Sequence, residues 1–233
     1  MSTSRSWALV VGANRGIGLG TVREFLARGW GVVATARDVA AATVLADLAL
    51  RHPGQVDIHR LDMNGSASID GFAAAMKGRT LDMILVNAGV SGPDHRSASA
   101  ATATEIGALM FTNAIAPIRL SRLLADTLPK SAGVLAFTSS VMGSVALNPG
   151  GHELYRASKA ALNSLTRGLW GELRGRNITI LTLHPGWVRT DMGGPSAAVG
   201  VDDSARGMVD VMLAQRNARN HLFLDYTGKP IDW

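Results

Sequence analysis

Tyr155 and Lys159 stand four residues apart in the segment YRASKAALN, so their side chains share one face if this segment is helical. A free phenol has a pKa of about 10 and is a poor base at neutral pH. A neighbouring ammonium group stabilises the phenolate and lowers its pKa toward the working pH, where proton exchange with a substrate oxygen is efficient. Only about 0.03 such pairs are expected by chance from the Tyr and Lys content. The alternative is an ordinary surface pair.

Two serines, Ser139 and Ser140, follow the apolar run 133–138. Ligands of open α/β sheets bind at the carboxyl ends of the strands, so a hydroxyl at this position could hold a substrate oxygen. The competing role for either serine is that of a turn or helix-capping residue. We expect one of the two to have only this structural role.

A glycine-rich turn follows the first apolar run of the chain. Gly12, Gly16 and Gly18 form a G-x-x-x-G-x-G pattern in GANRGIG, directly before a segment with a helical apolar stripe. Glycine allows a tight turn and a close approach of the backbone, and the free amides that begin the next helix point toward a pyrophosphate. A triplet alone is a weak signal in a chain with 26 glycines. Its position after the first strand predicts a dinucleotide site.

The residues after the second apolar run indicate which dinucleotide binds. An NAD site usually offers a carboxylate at the end of the second strand, which accepts a hydrogen bond from the ribose 2′-hydroxyl. Here the strand ends at Ala36 and Arg37 follows. Together with Arg15 in the glycine turn, this guanidinium could flank a 2′-phosphate, which favours NADP(H). NAD(H) is the alternative if Asp38 reaches the 2′-hydroxyl, although we prefer Asp38 as the cap of a helix starting at Val39.

The elements that must position these residues alternate along the whole chain. Apolar runs predict strands at 7–11, 31–36, 56–61, 81–86, 133–138, 178–183 and 221–224. Amphipathic segments predict helices at roughly 17–28, 39–51, 66–77, 103–128, 153–174 and 203–215. Thr102 and Glu105 form a capping box that begins the long central helix, and Pro117 should kink this helix. The alternation predicts one α/β domain over residues 1–233, a Rossmann-like doubly wound parallel sheet of about seven strands with helices on both faces.

Composition narrows the classes of partner. The chain has 233 residues, 47% of them hydrophobic, and a formal net charge of +5, but aromatic residues make up only 5% and the cations are dispersed, which disfavours nucleic acid. Cysteine is absent and the six histidines lack metal-ligand spacing, so we expect no metal site. The apolar run at 7–11 is too short for a signal sequence or a membrane span. We therefore expect a soluble, cytoplasmic protein without a membrane partner.

The motifs together resemble the classical short-chain dehydrogenase/reductase family over nearly the whole chain. The family's glycine motif appears as residues 12–18, although Val11 replaces the usual Thr, and its structural Asn-Ala-Gly follows the fourth strand. Ser140, Tyr155 and Lys159 match the catalytic serine, tyrosine and lysine, with a slightly longer spacing than is common between the first two. The stretches 155–163, 184–194 and 225–233 are most similar to the carbonyl-reductase subgroup that includes C-factor signalling proteins and sniffer-type reductases.

The resemblance implies a catalytic set and a row of cofactor contacts. Tyr155 would exchange a proton with the substrate oxygen and Ser140 would hydrogen-bond it. Lys159 would lower the pKa of the tyrosine and bind the nicotinamide ribose, and Asn113 would position a proton-relay water. The expected cofactor contacts are Gly12, Asn14, Arg15, Gly16, Ile17, Gly18, Arg37, Asp62, Met63, Asn87, Ala88, Gly89, Tyr155, Lys159, Pro185, Gly186, Val188 and Thr190.

Substrate recognition is expected from loops. Residues 186–202 are the stretch richest in Gly, Pro, Ser and Ala, which predicts a mobile substrate loop. The side chains that could line a mainly apolar pocket are Val141, Met142, Leu147, His152, Trp187 and Met192. They favour a ketone, aldehyde or quinone with hydrophobic bulk, although each could equally serve ordinary packing.

The function expected from these motifs is that of an NADPH-dependent carbonyl reductase, or of the reverse alcohol dehydrogenase. The alternative is an NAD(P)-binding signalling or regulatory protein of the C-factor type, in which turnover is incidental. Family members often pair through the helices at 103–128 and 153–174. The resemblance therefore implies a homodimer or homotetramer, with a monomer as the alternative.

Overall fold

Seven parallel strands form the centre of the structure, a computed structural model that describes residues 5–233. The strands are β1 (Trp7–Val11), β2 (Gly31–Ala36), β3 (Val56–Arg60), β4 (Met83–Val86), β5 (Val134–Thr138), β6 (Thr179–His184) and β7 (His221–Asp225). Their order in the sheet is β3-β2-β1-β4-β5-β6-β7, and every neighbouring pair is parallel. The predicted doubly wound parallel sheet is confirmed, with strand bounds that differ by no more than about two residues.

Helices connect the strands on both faces of the sheet. Within the described residues they are α1 (Gly16–Ala27), α2 (Thr43–Arg51), α3 (Ser66–Ala75), α4 (Ala103–Met110), α5 (Ala116–Leu124), α6 (Glu153–Leu173) and α7 (Val201–Ala214). The predicted capping box begins α4: the Glu105 amide donates to Thr102 Oγ1 (3.3 Å), and the Thr102 amide donates to Glu105 Oε2 (2.9 Å). No helix between residues 5 and 233 is long and apolar enough to cross a membrane.

The predicted start of the second helix is wrong by four residues. Helix α2 begins at Thr43, whereas the sequence suggested Val39. The reason is a turn in which the carboxylate of Asp38 accepts a hydrogen bond from the Ala41 amide (3.2 Å). Asp38 therefore satisfies a local backbone donor, as expected, but it does so in a turn ahead of the helix.

Two hydrophobic layers cover the sheet, because the central strands are apolar on both faces. On one face, helices α1, α2 and α7 contribute buried side chains such as Phe25, Leu45 and Met208. On the other face, α3, α5 and α6 contribute side chains such as Ile69, Leu120 and Leu162. Helix α6 is thereby packed against the sheet, which fixes the position of the residues it carries.

The strand order reverses at the centre of the sheet, where β1 lies between β2 and β4. In open α/β sheets, the crevice at such a switch point, outside the carboxyl ends of the strands, is where ligands bind. The glycine turn follows β1, the Asn-Ala-Gly motif follows β4, the serine pair follows β5, and Pro185 follows β6. All four segments therefore meet at one edge of the sheet.

Candidate active site

The glycine turn between β1 and α1 is packed too closely for side chains. A Cβ on Gly18 would lie 2.1 Å from the carbonyl oxygen of Gly12; Gly12 itself has a φ of +78°, and a Cβ there would lie 3.0 Å from Ala88. Helix α1 begins at Gly16 with no side chain capping its first amides, because its N-cap residue, Arg15, makes no such hydrogen bond. The turn therefore presents free backbone donors and the positive end of a helix dipole, which suits a pyrophosphate.

The Asn-Ala-Gly motif after β4 holds this turn in place. Asn87 Nδ2 donates to the carbonyl of Gly12 (3.1 Å), and Asn87 Oδ1 accepts from Thr138 Oγ1 (3.1 Å) on β5. The backbone amides of Asn87 and Ala88 both donate to the carbonyl of Val11. Asn87 thus links three neighbouring strand ends, which gives this predicted cofactor residue a clear structural role.

The end of β2 carries the residues that were predicted to choose the cofactor. Ala36 is buried and Arg37 is exposed, whereas Thr35 points back to the glycine turn and accepts from the Gly12 amide (3.1 Å). Arg15 is also largely exposed, but its guanidinium forms an ion pair with Asp191 (2.5 Å). Arg37 is therefore accessible at the strand end, whereas Arg15 is paired with Asp191. The sequence motifs did not point to Asp191.

The remaining predicted cofactor residues lie around this edge in different environments. Asn14 is exposed, Ile17 packs against the core on the α1 face, and Met63 is buried in the core on the opposite face. Asp62 Oδ1 accepts from the Asn64 amide (3.0 Å) in the turn after β3. The glycine turn and the ends of β2 and β4 thus lie together at this edge. Met63 packs in the hydrophobic core.

Tyr155 and Lys159 lie on α6, as the spacing predicts, and the lysine is 3% exposed. Lys159 Nζ donates to the carbonyl of Thr138 at the end of β5 (2.8 Å) and lies 5.6 Å from the centre of the Tyr155 ring. Burial raises the pKa of Tyr155 to about 12 and lowers the pKa of Lys159 to about 8. The expected lowering of the tyrosine pKa is therefore not seen, because burial disfavours the charged form of each group.

The hydroxyls of the two serines form different hydrogen bonds. Ser139 is 2% exposed and donates to Asn163 Oδ1 (2.6 Å) on α6. Ser140 Oγ accepts from the Met142 amide (3.1 Å) at the start of a short 3₁₀ turn, an interaction that leaves its own proton available. This arrangement fits the expectation that one serine is structural, and it identifies Ser139 as that residue.

Asn113 lies in a π-helical turn, Phe111–Ile115, that separates α4 from α5. Pro117 follows this turn and has no N–H to donate to the carbonyl of Asn113, so a regular α-helical bond cannot form there. The predicted effect of Pro117 thus takes the form of a widened turn. The Asn113 side chain accepts from the Val90 amide (2.9 Å) and donates to the Val90 carbonyl (2.8 Å) and to Ser158 Oγ (3.0 Å).

The Asn113 carboxamide is thus engaged by the loop after β4 and by Ser158. A Cβ on Gly89 would lie 3.3 Å from Asn113 Oδ1 and 3.5 Å from Lys159 Nζ, so the glycine of the Asn-Ala-Gly motif allows the two side chains to approach. The proton-relay role of Asn113 stays a prediction, and its role in holding the loop after β4 is visible.

Residues 187–199, which follow β6, form a flap. It leaves the sheet through Pro185 and Gly186, and it folds back so that Val188 bridges Val199. Gly186 has a φ of +85°, and a Cβ there would lie 3.0 Å from Val199. Val188 is 4% exposed, while a Cβ on Gly16 would come within 3.3 Å of Thr190. The flap therefore lies directly beside the glycine turn.

Three of the predicted substrate side chains are large apolar residues with about half of their surface exposed. Trp187, Met192 and Leu147 are 57%, 53% and 47% exposed, and His152 has a left-handed conformation at the start of α6. Met142 lines a cavity of about 410 Å³ beside α6, but the lining of this cavity does not include Ser140, Tyr155 or Lys159. These residues remain candidates for a substrate surface formed by two loops.

Sequence reasoning missed two residues that support the site. Asn163 lies one turn after Lys159 on α6 and connects Ser139 to the carbonyl of Gly143, to which its Nδ2 donates (3.1 Å). Its i+4 spacing from the lysine was the available signal. Trp233 accepts from the Ala146 amide (3.1 Å) and so ties the loop after Ser140 to the end of the sheet beyond β7. Nothing in the local sequence indicates that long-range contact.

The fold and this arrangement of tyrosine, lysine, serine and glycine turn define an oxidoreductase of the short-chain type. The chain belongs to the short chain dehydrogenase family, whose model matches residues 6–198. This confirms the resemblance noted from the motifs. In the described part of the chain, no group of three or more His, Asp or Glu side chains is placed to hold a metal ion.

Individual relatives agree with the expected subgroup. The C-signal protein of Myxococcus xanthus is 37% identical over 155 residues, which is 66% of this chain and 93% of that protein. A carbonyl reductase from Pseudomonas aeruginosa PAO1, solved in complex with NADP, is 40% identical, covers 99% of this chain and 100% of its own, and has a TM-score of 0.90. The carbonyl reductase Sniffer of D. melanogaster is 30% identical, with 99% and 100% coverage and a TM-score of 0.88.

Proposed function

We propose that the chain is an NADPH-dependent carbonyl reductase, with alcohol oxidation as its reverse reaction. The observation that carries this proposal is the bond between Lys159 Nζ and the Thr138 carbonyl (2.8 Å). It fixes α6 over the strand end that carries Ser140, so a hydroxyl and a phenol serve the same sheet edge. The Pseudomonas and Drosophila relatives, both named as carbonyl reductases, support the reaction class.

The residues around the glycine turn fit a dinucleotide with a 2′-phosphate. Gly12 and Gly18 are too crowded to carry a side chain, so the turn can offer a phosphate only its backbone amides. Arg37 offers an exposed guanidinium where an NAD site would offer a carboxylate. Arg15 is the second cation within the same turn. NADP(H), when bound, supplies or accepts the hydride.

Four residues of the site would carry out proton transfer, hydrogen bonding to the substrate, and positioning. Tyr155 donates a proton to the substrate oxygen during reduction, and the free proton of Ser140 hydrogen-bonds the same oxygen. Lys159 holds a positive group beside the phenol and is available to a ribose hydroxyl. Asn113 positions the loop after β4 and offers its backbone carbonyl to a relay water.

The flap and the loop after Ser140 would supply the substrate surface. Three large apolar side chains have roughly half of their surface exposed: Trp187 and Met192 on the flap, and Leu147 on the loop after Ser140. Such exposed apolar area near a polar reactive centre favours a ketone, aldehyde or quinone with hydrophobic bulk.

The test is NADPH oxidation dependent on a carbonyl compound, measured across a panel of aldehydes, ketones and quinones. Tyr155→Phe should abolish turnover and leave the Kd of NADPH nearly unchanged. Retained turnover would assign the proton donor elsewhere. A protein that binds NADPH but reduces no member of the panel would contradict the reaction itself.

Cofactor choice is tested separately. Arg37→Asp should weaken NADPH binding much more than NADH binding, because only NADPH places a phosphate near this residue. Arg174→Asp, an equal charge change at an exposed residue beyond α6, is the control and should leave the ratio unchanged. Equal losses for the two cofactors with Arg37→Asp would remove the assignment of the 2′-phosphate.

A second candidate function is that of an NADP(H)-binding signalling or regulatory protein, which the similarity to C-signal supports. The complete set of Ser140, Tyr155, Lys159 and Asn113 favours turnover as the main role. A strain carrying Tyr155→Phe discriminates the two: a regulatory role survives this change, whereas a catalytic role does not.

We also infer that the protein is cytoplasmic, consists of one domain over residues 1–233, and forms a homodimer or homotetramer. Helices α4 and α5 with their connecting turn carry exposed apolar residues suited to a partner, Ile106, Ile115 and Leu123, which are 40–47% exposed. Light scattering after gel filtration gives the mass of the assembly. A monomer at micromolar concentration would contradict the proposed pairing.

A further inference from the structure

Arg15 and Asp191 connect the glycine turn to the flap across 176 residues of sequence. Arg15 Nη1 lies 2.5 Å from Asp191 Oδ2, and the two side chains are 73% and 77% exposed. The backbones are also adjacent here, since a Cβ on Gly16 would lie 3.3 Å from Thr190 Cγ2. The ion pair therefore joins two segments that already lie side by side.

The backbone that carries Asp191 is held by several hydrogen bonds. Asp191 lies inside a turn in which the Gly194 amide donates to the Thr190 carbonyl (2.8 Å) and the Gly193 amide donates to Thr190 Oγ1 (3.1 Å). Trp187 Nε1 donates to the Gly193 carbonyl (2.9 Å) and braces the same turn. Arg15, by contrast, has a long flexible side chain on an exposed turn, so it is the partner that can move.

We propose that Asp191 competes with the 2′-phosphate of NADP(H) for the guanidinium of Arg15, and that Asp191 thereby limits the preference of the site for NADP(H) over NAD(H). This inference rests on the proposed function, in which Arg15 and Arg37 bind that phosphate. A dinucleotide without the 2′-phosphate leaves the ion pair intact. One that carries it must draw Arg15 away from Asp191, which subtracts the energy of the pair from binding.

The direction of the exchange follows from charge. A phosphate monoester carries more negative charge than a carboxylate and accepts the forked donors of a guanidinium, so it wins the competition. The pair that is lost is exposed, and exposed ion pairs are weak. We therefore expect Asp191 to reduce the affinity for the 2′-phosphate by about two- to fivefold.

The substitution Asp191→Asn removes the charge and keeps the shape of the side chain. The probes are 2′,5′-ADP, which carries the 2′-phosphate without the nicotinamide, and 5′-AMP, which lacks it; both are titrated by calorimetry. Asp191→Asn should tighten 2′,5′-ADP binding about two- to fivefold and leave 5′-AMP unchanged. The gain should shrink at high salt, because the competing pair is exposed.

Two further variants separate competition from general electrostatics. Asp203→Asn removes a carboxylate that pairs with Arg206 (3.3 Å) on α7, and it should leave both affinities unchanged. Arg15→Gln removes the shared partner, so adding Asp191→Asn to it should have no further effect on 2′,5′-ADP. A gain that persists without Arg15, or that appears equally with Asp203→Asn, overturns the inference.

The outcomes also separate this inference from the proposed function. If the wild-type protein binds 2′,5′-ADP more tightly than 5′-AMP but Asp191→Asn leaves that ratio unchanged, the competition is refuted and the preference for NADP(H) stands. If the wild-type protein shows no such preference, both the preference and the competition are refuted. Carbonyl-dependent oxidation of a nicotinamide cofactor would still test the reaction class by itself.

Discussion

Replacing Ser139 and Ser140 one at a time by alanine should separate stability from catalysis at the end of β5. Ser139 is buried and is a hydrogen-bond donor to Asn163 Oδ1 at 2.6 Å, so Ser139→Ala deprives a buried amide oxygen of this donor. Such a loss costs about 1–3 kcal/mol of unfolding free energy. For a chain of this size, each kcal/mol shifts Tm by about 2–4 °C, so a decrease of about 2–12 °C is expected.

Ser140→Ala should behave in the opposite way. The hydroxyl of Ser140 accepts one amide bond at a short turn, and its proton is free for a substrate oxygen. Removing one donor to the reacting oxygen typically lowers kcat by about 10²–10³-fold. The fall in Tm should be smaller than for Ser139→Ala, because no buried side chain loses its partner.

The assay combines thermal unfolding with initial rates of NADPH oxidation on the best carbonyl substrate of the panel. Ser121→Ala is a matched control, since Ser121 is a buried serine whose hydroxyl donates to the Pro117 carbonyl (2.8 Å) away from the serine pair. It should lower Tm and leave kcat unchanged. A Ser139→Ala protein that loses kcat as severely as Ser140→Ala, or a fully active Ser140→Ala protein, would refute the division of roles.

Three other outcomes follow from the same geometry. Gly18→Ala should abolish NADPH binding, because its Cβ would lie 2.1 Å from the Gly12 carbonyl oxygen. Gly168→Ala is the control: a Cβ there meets open space in α6, so this variant should raise Tm by about 2–4 °C. A Gly18→Ala protein that binds NADPH with the same Kd as Gly168→Ala would contradict the crowding. Burial lowers the pKa of Lys159 from its ordinary value of 10.5 to about 8. Between these two pH values the lysine is more often protonated in the unfolded chain than in the folded one. The free energy of unfolding should therefore rise with pH over this range. Urea unfolding at pH 8 and 9.5 should show this rise, on the order of 1 kcal/mol per pH unit, in the wild-type protein and not in Lys159→Met; parallel slopes would exclude it. Burial raises the pKa of Tyr155 to about 12, so kcat/KM for alcohol oxidation should increase from pH 6 to 9 while that for carbonyl reduction changes little; a flat oxidation profile would indicate another base.

The positions of the chemical groups could be predicted because each lies next to a strand end or on a single helix. Tyr155 and Lys159 share a helix face by their spacing alone, and the strand after which Ser140 follows is recognisable from its apolar run. The parallel sheet then brings those strand ends to one edge without further information from the sequence. Local patterns and one topological rule were sufficient for this part of the site.

Long-range partners and protonation states could not be predicted in the same way. The pairing of Arg15 with Asp191 depends on how the flap folds back on itself, and the contact of Ala146 with Trp233 depends on the path of the chain after β7. Burial likewise depends on the packed structure. It reverses the expected direction of the pKa of Tyr155, because burial makes the charged phenolate costly to form.

The reversed pKa of Tyr155 bears on the direction of the reaction that the site favours. A phenol with a raised pKa is almost fully protonated at neutral pH, so it is ready to donate a proton to an oxygen that gains negative charge. Carbonyl reduction needs that acid, whereas alcohol oxidation needs the phenolate. Lys159 Nζ lies 5.6 Å from the centre of the Tyr155 ring and donates to the Thr138 carbonyl, and burial of the phenol is what keeps the phenolate costly to form. In the unliganded arrangement Tyr155 therefore carries the proton that carbonyl reduction requires, and its phenolate has to be stabilised by groups that reach it only when the site is filled.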